Sequence, residues 1–434
     1  MAWGGGTFLT QNKVLGGAYI NFISKAVPSA TLLDRGIVAF GFDLDWGVDD
    51  KIFELSEADV LKKSAELFGY DYASEKLAGV KDILKNAVKL YAYKLNAGGA
   101  KATNVYATAK YNGVRGNDLK VVIQNAVDLD SGFIVSLYLD TKLVDKQTVK
   151  KAAELVNNAW VDWKKDANLE LTAGVKLDGG SNGTVSASEH QKFIGLCESY
   201  PDINAVGYAG TEEEIKQLYA AWAKTMREDV GVKVQAVLHQ YVADSEAVVN
   251  VENEALDTNK AALVYWATGV IAGTAVNKSA TNKKYDGEFE IKVDYTQSEL
   301  EKCLKAGKWT LHRVGSDIKV LEDINSLTTV TVEKGEIFKD NQTIRIIDQI
   351  ATAVANVFTS KYLGQVPNDK DGRLSLWADV CKVHSDLEAI RALEDFDPKD
   401  ITVEQGDAKK SVVINESITI VNTMVRLYMT VVVG

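Results

Sequence analysis

The stretch Pro201–His239, PDINAVGYAGTEEEIKQLYAAWAKTMREDVGVKVQAVLH, decides the fold class. It opens with INAVGY (Ile203–Tyr208), a short apolar run of the kind that fills a strand buried on both faces. Thr211 and Glu214 then stand at the spacing of a capping box, and the helix they predict carries Ile215, Leu218, Tyr219, Trp222 and Met226 on one face. VKVQAVLH (Val232–His239) is a second apolar strand. Just outside this stretch, Ser186 with Glu189 caps a helix that runs to Tyr200 and is ended by Pro201. On the other side KAALVYWATGVIAGTAV (Lys260–Val276) is an apolar helix. Helices alternating with continuous apolar strands imply an α/β layer around a largely parallel sheet.

Further out, GIVAFGFDLDW is a strand followed by an acidic turn. Ser56–Asp59 opens a helix through Phe68 that Gly69 stops, a second helix spans about 73–86, and Val88–Lys94 is a strand. From Val105 to about Trp163 the texture changes to short β-type runs, VYATAKY, DLKVVIQN and FIVSLYLD, with a polar helix expected at Thr148–Asn157 and NGVRGND (Asn112–Asp118) as a tight connection. A β-rich piece lies near 286–333. The helix Gln342–Leu363 should bury Ile347, Ile350, Val354, Val357 and Phe358 and end at Gly364. The helix Leu374–Phe396 should turn Trp377, Val380, Leu387 and Ile390 inward. The expected fold is α/β, α+β overall. Its parts are an N-terminal arm (1–28), a first part of the body (29–100), an inserted β-rich domain (101–168), an α/β core with C-terminal helices (169–400) and a C-terminal strand arm (401–434).

The two arms carry the functional signal. In SVVINESITIVNTMVRLYMTVVVG (Ser411–Gly434) the odd positions Val421, Thr423, Val425, Leu427, Met429, Val431 and Val433 are β-branched or apolar. A period of two in such residues predicts a strand with one strongly buried face. A long apolar strand at a chain end offers an unpaired edge to other chains. Either it is an inner strand of its own sheet or a second subunit completes it. At the other end, after Gly16–Gly17, Ala18, Ile20 and Phe22 alternate with Tyr19, Asn21 and Ile23, a second short strand. Prolines are only four, and Pro28 and Pro398 punctuate these arms away from the middle of the chain.

Composition narrows the function. With 434 residues, 46% hydrophobic and 25% charged, the chain is long enough for two or three cores and ordinary for a globular protein. A net charge of −11 argues against a nucleic-acid partner. No apolar run approaches a membrane span, and the N-terminus lacks the basic flank and apolar core of a signal peptide. Cys197, Cys303 and Cys381 are far apart and in no CxxC pair, which fits buried thiols in a reducing cytoplasm. Candidate chemistry is sparse. Asp43, Asp45, Asp49 and Glu54 resemble a calcium loop, but Val48 stands where that loop requires Gly. GTAVNKS (Gly273–Ser279) resembles the end of a phosphate loop, with Asn277 in place of the Gly before Lys. LDGGSNGT (Leu177–Thr184) could cradle an anion, though a plain loop explains it. His190, His239, His312 and His384 share no metal spacing. The expectation is therefore no enzyme, no cofactor and no metal.

Read together, MAWGGGTFLTQNKVLGGAYINFISKA, GIVAFGFDLDWG, ELFGYDY, KYNGVRGNDLKVVIQ, VNKSATNKKYDGE, HRVGSDIKVLEDINSLT, KYLGQVPNDKDGRLSLW and ITVEQGDAKKSVV resemble the tail sheath proteins of contractile phages, defective prophages and R-type bacteriocin particles of Gram-positive hosts. The resemblance spans essentially the whole chain. It implies a structural subunit, assembled in the bacterial cytoplasm, that polymerises helically around an inner tube and contracts to drive it through a cell envelope. The implied partners are other copies of the chain, the inner tail tube protein, and baseplate and tail terminator proteins, with no nucleic acid and no membrane insertion. It also implies that both arms join sheets on neighbouring subunits, through Tyr19, Ile20 and Phe22 and through Val421, Val425, Leu427, Met429 and Val431. A non-contractile self-assembling tube or shell protein is the alternative reading, and a nucleotide-dependent enzyme built on the α/β layer is a third.

Overall fold

The computed structural model describes residues 35–126 and 131–433. Among them two compact units separate, one of residues 35–349 with 420–433 and one of residues 350–419. At the centre of the larger unit lies a seven-stranded sheet. Its order is Lys308–Trp309, Val248–Val251, Gln235–His239, Ala205–Tyr208, Ile37–Phe42, Lys89–Lys94 and Phe53–Leu55. Neighbours run parallel except at the last edge, where Phe53–Leu55 lies antiparallel on Lys89–Lys94.

Both faces of this sheet are covered, and that is why its strands read as unbroken apolar runs. Val38, Phe40 and Phe42 point into a core shared with the helices Glu57–Phe68, Ala78–Leu84 and Leu263–Gly273. Ala39, Tyr91, Tyr93, Val206 and Tyr208 point the other way, into a core shared with the helices Ala187–Cys197 and Glu213–Thr225. Glycine sets one spacing: a Cβ at Gly273 would stand 1.9 Å from the carbonyl oxygen of Asn86. The helix Leu263–Gly273 therefore seats against that backbone only because side chains are missing there.

The chain leaves this body after Leu95 to build an all-antiparallel module. Four strands lie in the order Lys142–Val149, Phe133–Leu139, Leu119–Asn125 and Thr172–Lys176, and Ala107–Ala109 pairs separately with Val161–Trp163. Leu119, Val121, Ile123, Val135 and Leu137 form its core together with Trp160 and Trp163. Trp46, reaching in from the end of the first body strand, stands edge-on to Tyr111 with ring centroids 5.2 Å apart. The outgoing and returning chains run together, with Ala100 N donating to Ser181 O at 3.1 Å and Gly183 N to Asn96 O at 3.0 Å.

Several local expectations are corrected. The polar helix expected at Thr148–Asn157 is the end of the strand Lys142–Val149 and a single 3₁₀ turn, Ala152–Glu154. NGVRGND, by contrast, is the tight connection expected, a 3₁₀ turn, Val114–Asp118, between the strands Ala107–Ala109 and Leu119–Asn125. The helix Glu213–Thr225 has Glu212, not Thr211, at its cap, because the Glu212 carboxylate accepts from Thr211 N and is held by the Tyr208 hydroxyl. A helix, Gln297–Lys305, stands inside the stretch expected to be β-rich; Thr296 and Glu299 form its capping box. The long helix ends at Val357 and continues as a π turn, Phe358–Tyr362; Phe358 is exposed, and Ile347 and Val354 are half-buried rather than buried.

In the smaller unit the helix Lys370–Ala389 buries Leu376, Val380, Val383 and Leu387. Against it lies a two-stranded antiparallel hairpin, Ile401–Gln405 with Val412–Glu416, in the register Ile401 opposite Glu416 and Gln405 opposite Val412.

Candidate assembly interface

The C-terminal tail is anchored at its root and bare beyond it. The helix Asn341–Val357 starts with polar residues that are nonetheless buried, Asn341, Gln342 and Thr343 among them. Such groups must find partners. The Gln342 amide donates to Val421 O at 3.1 Å, and its carbonyl accepts from Thr423 N at 3.0 Å and from the Thr423 hydroxyl at 3.2 Å. Asn422 donates to the Thr343 hydroxyl at 3.1 Å. One side chain thus pairs with the tail backbone much as a neighbouring strand would. A surface ion pair, Arg426 with Glu322 at 2.5 Å, adds little where the arginine is mostly exposed.

Past that root the tail belongs to no sheet among the described residues. Met424 is 101% exposed, Leu427 86%, Met429 76% and Val432 91%. Val425 and Val431 are exposed as well, and Val421 is half-buried. Among the described residues this segment is therefore not an inner strand of its own sheet. Tyr19, Ile20 and Phe22 lie outside the described residues.

Among the described residues the hairpin of the smaller unit also keeps open strand edges. Trp377 Nε1 donates to Ile401 O at 3.0 Å, and the Asn368 amide donates to Lys409 O at 3.0 Å and Ser411 O at 2.8 Å, fixing both ends of the hairpin to the helix region. His384 is buried. Its Nδ1 lies 2.9 Å from Val380 O, and its Nε2 3.2 Å from the Glu416 carboxylate, near enough for an ion pair but not aligned as a hydrogen bond. Burial opposes the charged ring, but the Glu416 carboxylate and the Val380 carbonyl outweigh it and raise its pKa above the ordinary value. Among the described residues the hairpin has two strands only, so each keeps one unpaired edge. Beside the Val412–Glu416 edge runs a groove of about 440 Å³ lined by Ile350, Val354, Phe358, Leu376, Val412 and Ile414. This groove and the polar clamp at Gln342 were not anticipated from sequence; the alternation of Val412 and Ile414 was the one available hint.

The residues that resembled chemical sites have other employment. Asp45 accepts from the Tyr70 hydroxyl and from Asn182, Asp49 pairs with buried Lys94, and Glu54 with Lys89, so the calcium-like carboxylates are dispersed. Gly273 closes a helix, Lys278 O accepts from Arg345 and Ser279 donates to Thr281. In LDGGSNGT, Asn182 bridges Val114 N and Asp45 where the module rejoins the body. His190 Nδ1 faces the Tyr219 hydroxyl at 2.9 Å, and burial pushes its pKa down to about 4, a core histidine. The three cysteines are free and buried. Among the described residues no helix is long and apolar enough to cross a membrane.

Known proteins share this arrangement. Residues 89–182 match the phage tail sheath protein beta-sandwich domain, 183–326 the phage tail sheath protein central domain, and 333–434 the phage tail sheath C-terminal domain. The sheath tail protein from Desulfitobacterium hafniense has a crystal structure similar to this one, with a TM-score of 0.80 at 31% identity over 93% of this chain and 100% of that one. The phage-like element PBSX protein XkdK of Bacillus subtilis is 28% identical over 98% of this chain and 99% of its own length. The helical sheath of the anti-feeding prophage in its contracted state shares the fold, with a TM-score of 0.58 at 10% identity over 97% of this chain and 99% of that one. The class is thus that of phage tail proteins. Within it, the chain belongs to the phage tail sheath family.

Proposed function

We propose that this protein polymerises helically around an inner tube and contracts to drive it through a target envelope, with neighbouring subunits joined by exchange of terminal strands. The observation that carries the reading is the tail 424–433, apolar in sequence and exposed in the folded chain. A segment of this kind in a soluble subunit is stable only if another chain covers it. The hairpin Ile401–Glu416 fits the receiving role. A two-stranded sheet is marginal by itself, and an added strand at the Val412–Glu416 edge would gain backbone hydrogen bonds while its apolar side chains fill the adjoining groove. Exchange between identical chains makes a head-to-tail contact, which builds a filament when the rotation does not close. The N-terminal segment with Tyr19, Ile20 and Phe22 is proposed as the second donor.

The test is truncation of residues 424–434, which spares the Gln342 clamp. The truncated chain should keep its circular dichroism spectrum and melting temperature yet remain a monomer in sedimentation under conditions where the full chain forms hollow cylinders in micrographs. Cylinders from the truncated chain would end the strand-exchange reading.

A further inference from the structure

The roots of the two arms are joined inside the body by a relay of hydrogen bonds along the starting ends of the parallel strands. Gly36 N and Ile37 N, where the N-terminal segment meets the first strand, both donate to Asn204 Oδ1, at 2.9 and 3.0 Å. Asn204 O accepts from Gln235 N at 3.1 Å. The buried Gln235 amide donates to Asn341 Oδ1 at 3.0 Å, and Asn341 in turn donates to Asp323 Oδ1 at 3.1 Å. The next residue is Gln342, which grips Val421 and Thr423 at the root of the tail. A parallel line of charge runs beside it: Arg227 pairs with Asp348 through bonds of 2.7 and 2.9 Å, and Arg345 pairs with Asp323. Arg35 sits within the field of these same groups, its pKa lowered to about 10 by burial and by the neighbouring Arg345 guanidinium.

We propose that the relay Asn204–Gln235–Asn341–Gln342 is a mechanical link between the arms, so that loosening the root of one loosens the root of the other. Each member is held by short, directional bonds in a low-dielectric interior, where losing a partner is expensive and a change at one bond is felt at the next. A surface tie between arms would slip; a buried one has few alternative arrangements. The link stands on these bonds alone. Its use, carrying the displacement of one subunit through the body to the next, rests on the strand-exchange reading.

The experiment is amide hydrogen exchange on the full-length unassembled chain, comparing Asn204→Ala and Gln342→Ala with the parent. Asn204→Ala removes the acceptor of Gly36 and Ile37, and their exchange should accelerate in any case. The proposal requires Thr423, at the far end, to accelerate by about fivefold or more, the low end of usual coupling between sites. Coupling is reciprocal, so Gln342→Ala must accelerate Gly36 and Ile37 by a similar factor. An amide outside the relay, Val121 in the inserted module, should keep the parent rate in both variants, which separates linkage from general loosening. Acceleration confined to the mutated end, or shared by Val121, overturns the proposal. Failure of the truncated chain to behave as proposed above would leave this result untouched, because no assembly is involved.

Discussion

At the scale of single residues the interior depends on a few polar pairs whose removal should be costly. Arg227 and Asp348 form a bidentate pair with side chains 8% and 5% exposed. Cutting one partner strands the other charge in the interior, so Asp348→Ala should destabilise the larger unit by about 3–5 kcal/mol in urea unfolding. A loss below about 1 kcal/mol would show that water reaches the pair. His384 gives a pH dependence with a definite sign. Its two ring nitrogens face two acceptors, and a neutral imidazole can supply only one proton. The favourable state is therefore the cation, and the folded pKa lies above the ordinary one. Its contribution is complete below about pH 6.5, the unfolded value, and is lost as pH rises through the raised folded pKa. The melting temperature of the parent should fall across that interval. In Glu416→Gln the fall should vanish, because the amide can donate to a neutral ring. An equal fall in both would assign the dependence to another group.

At the scale of elements the tail separates folding from assembly. Leu427 is 86% exposed, so Leu427→Asp should leave the stability of the chain within about 0.5 kcal/mol of the parent. Covering the same position by a neighbour would bury an unpaired carboxylate at a cost of several kcal/mol, and sedimentation should report monomers. Retained polymers in this variant would mean that the tail is not covered there. The tail's apolar alternation predicts a strand, but among the described residues 421–433 form none, because no partner strand lies beside them. Legible in the sequence were the strands Ala205–Tyr208 and Gln235–His239 and the helix between them, since parallel strands covered on both faces leave an unbroken apolar signature. The misses have physical causes. Gln297–Lys305 buries only Cys303 fully, so it lacks the apolar stripe by which a helix is recognised, although its TQSE cap was in plain view. The expected cap at Thr211 was lost to a tertiary contact, the Tyr208 hydroxyl holding Glu212. The clamp of Gln342 on Val421 spans 79 positions and that of Asn204 on Ile37 spans 167, and no local pattern encodes such distances.

At the scale of the whole molecule the proposed function implies that the work of contraction comes from contacts between copies. Of the carboxylates that resembled a calcium loop, Asp45, Asp49 and Glu54 are engaged by protein groups, and the lysine of the phosphate-loop-like stretch follows a helix end. Assembled particles triggered with acid or mild denaturant should therefore contract to the same fraction with apyrase or a chelator as without; abolition by either would point to a bound nucleotide or metal. The neighbouring contact where the inserted module departs and returns has a different consequence. Asn96, Ala100, Ser181 and Gly183 bring the two crossings within hydrogen-bond distance, so the chain enters and leaves the module through a double stem, beside which Asn112 and Arg115 also hold Lys94, Asp49 and Gly69 of the body. Chain length between the crossings is then free to change without moving either. The stem is a natural graft point: a foreign domain whose own termini lie close together could replace residues 101–180, provided that Trp46, which would lose Tyr111 and Trp160, and buried Lys94, which would lose Asn112, are exchanged as well. A cylinder built from such chains would carry one copy of the guest per subunit, turning the particle into a regularly spaced display scaffold.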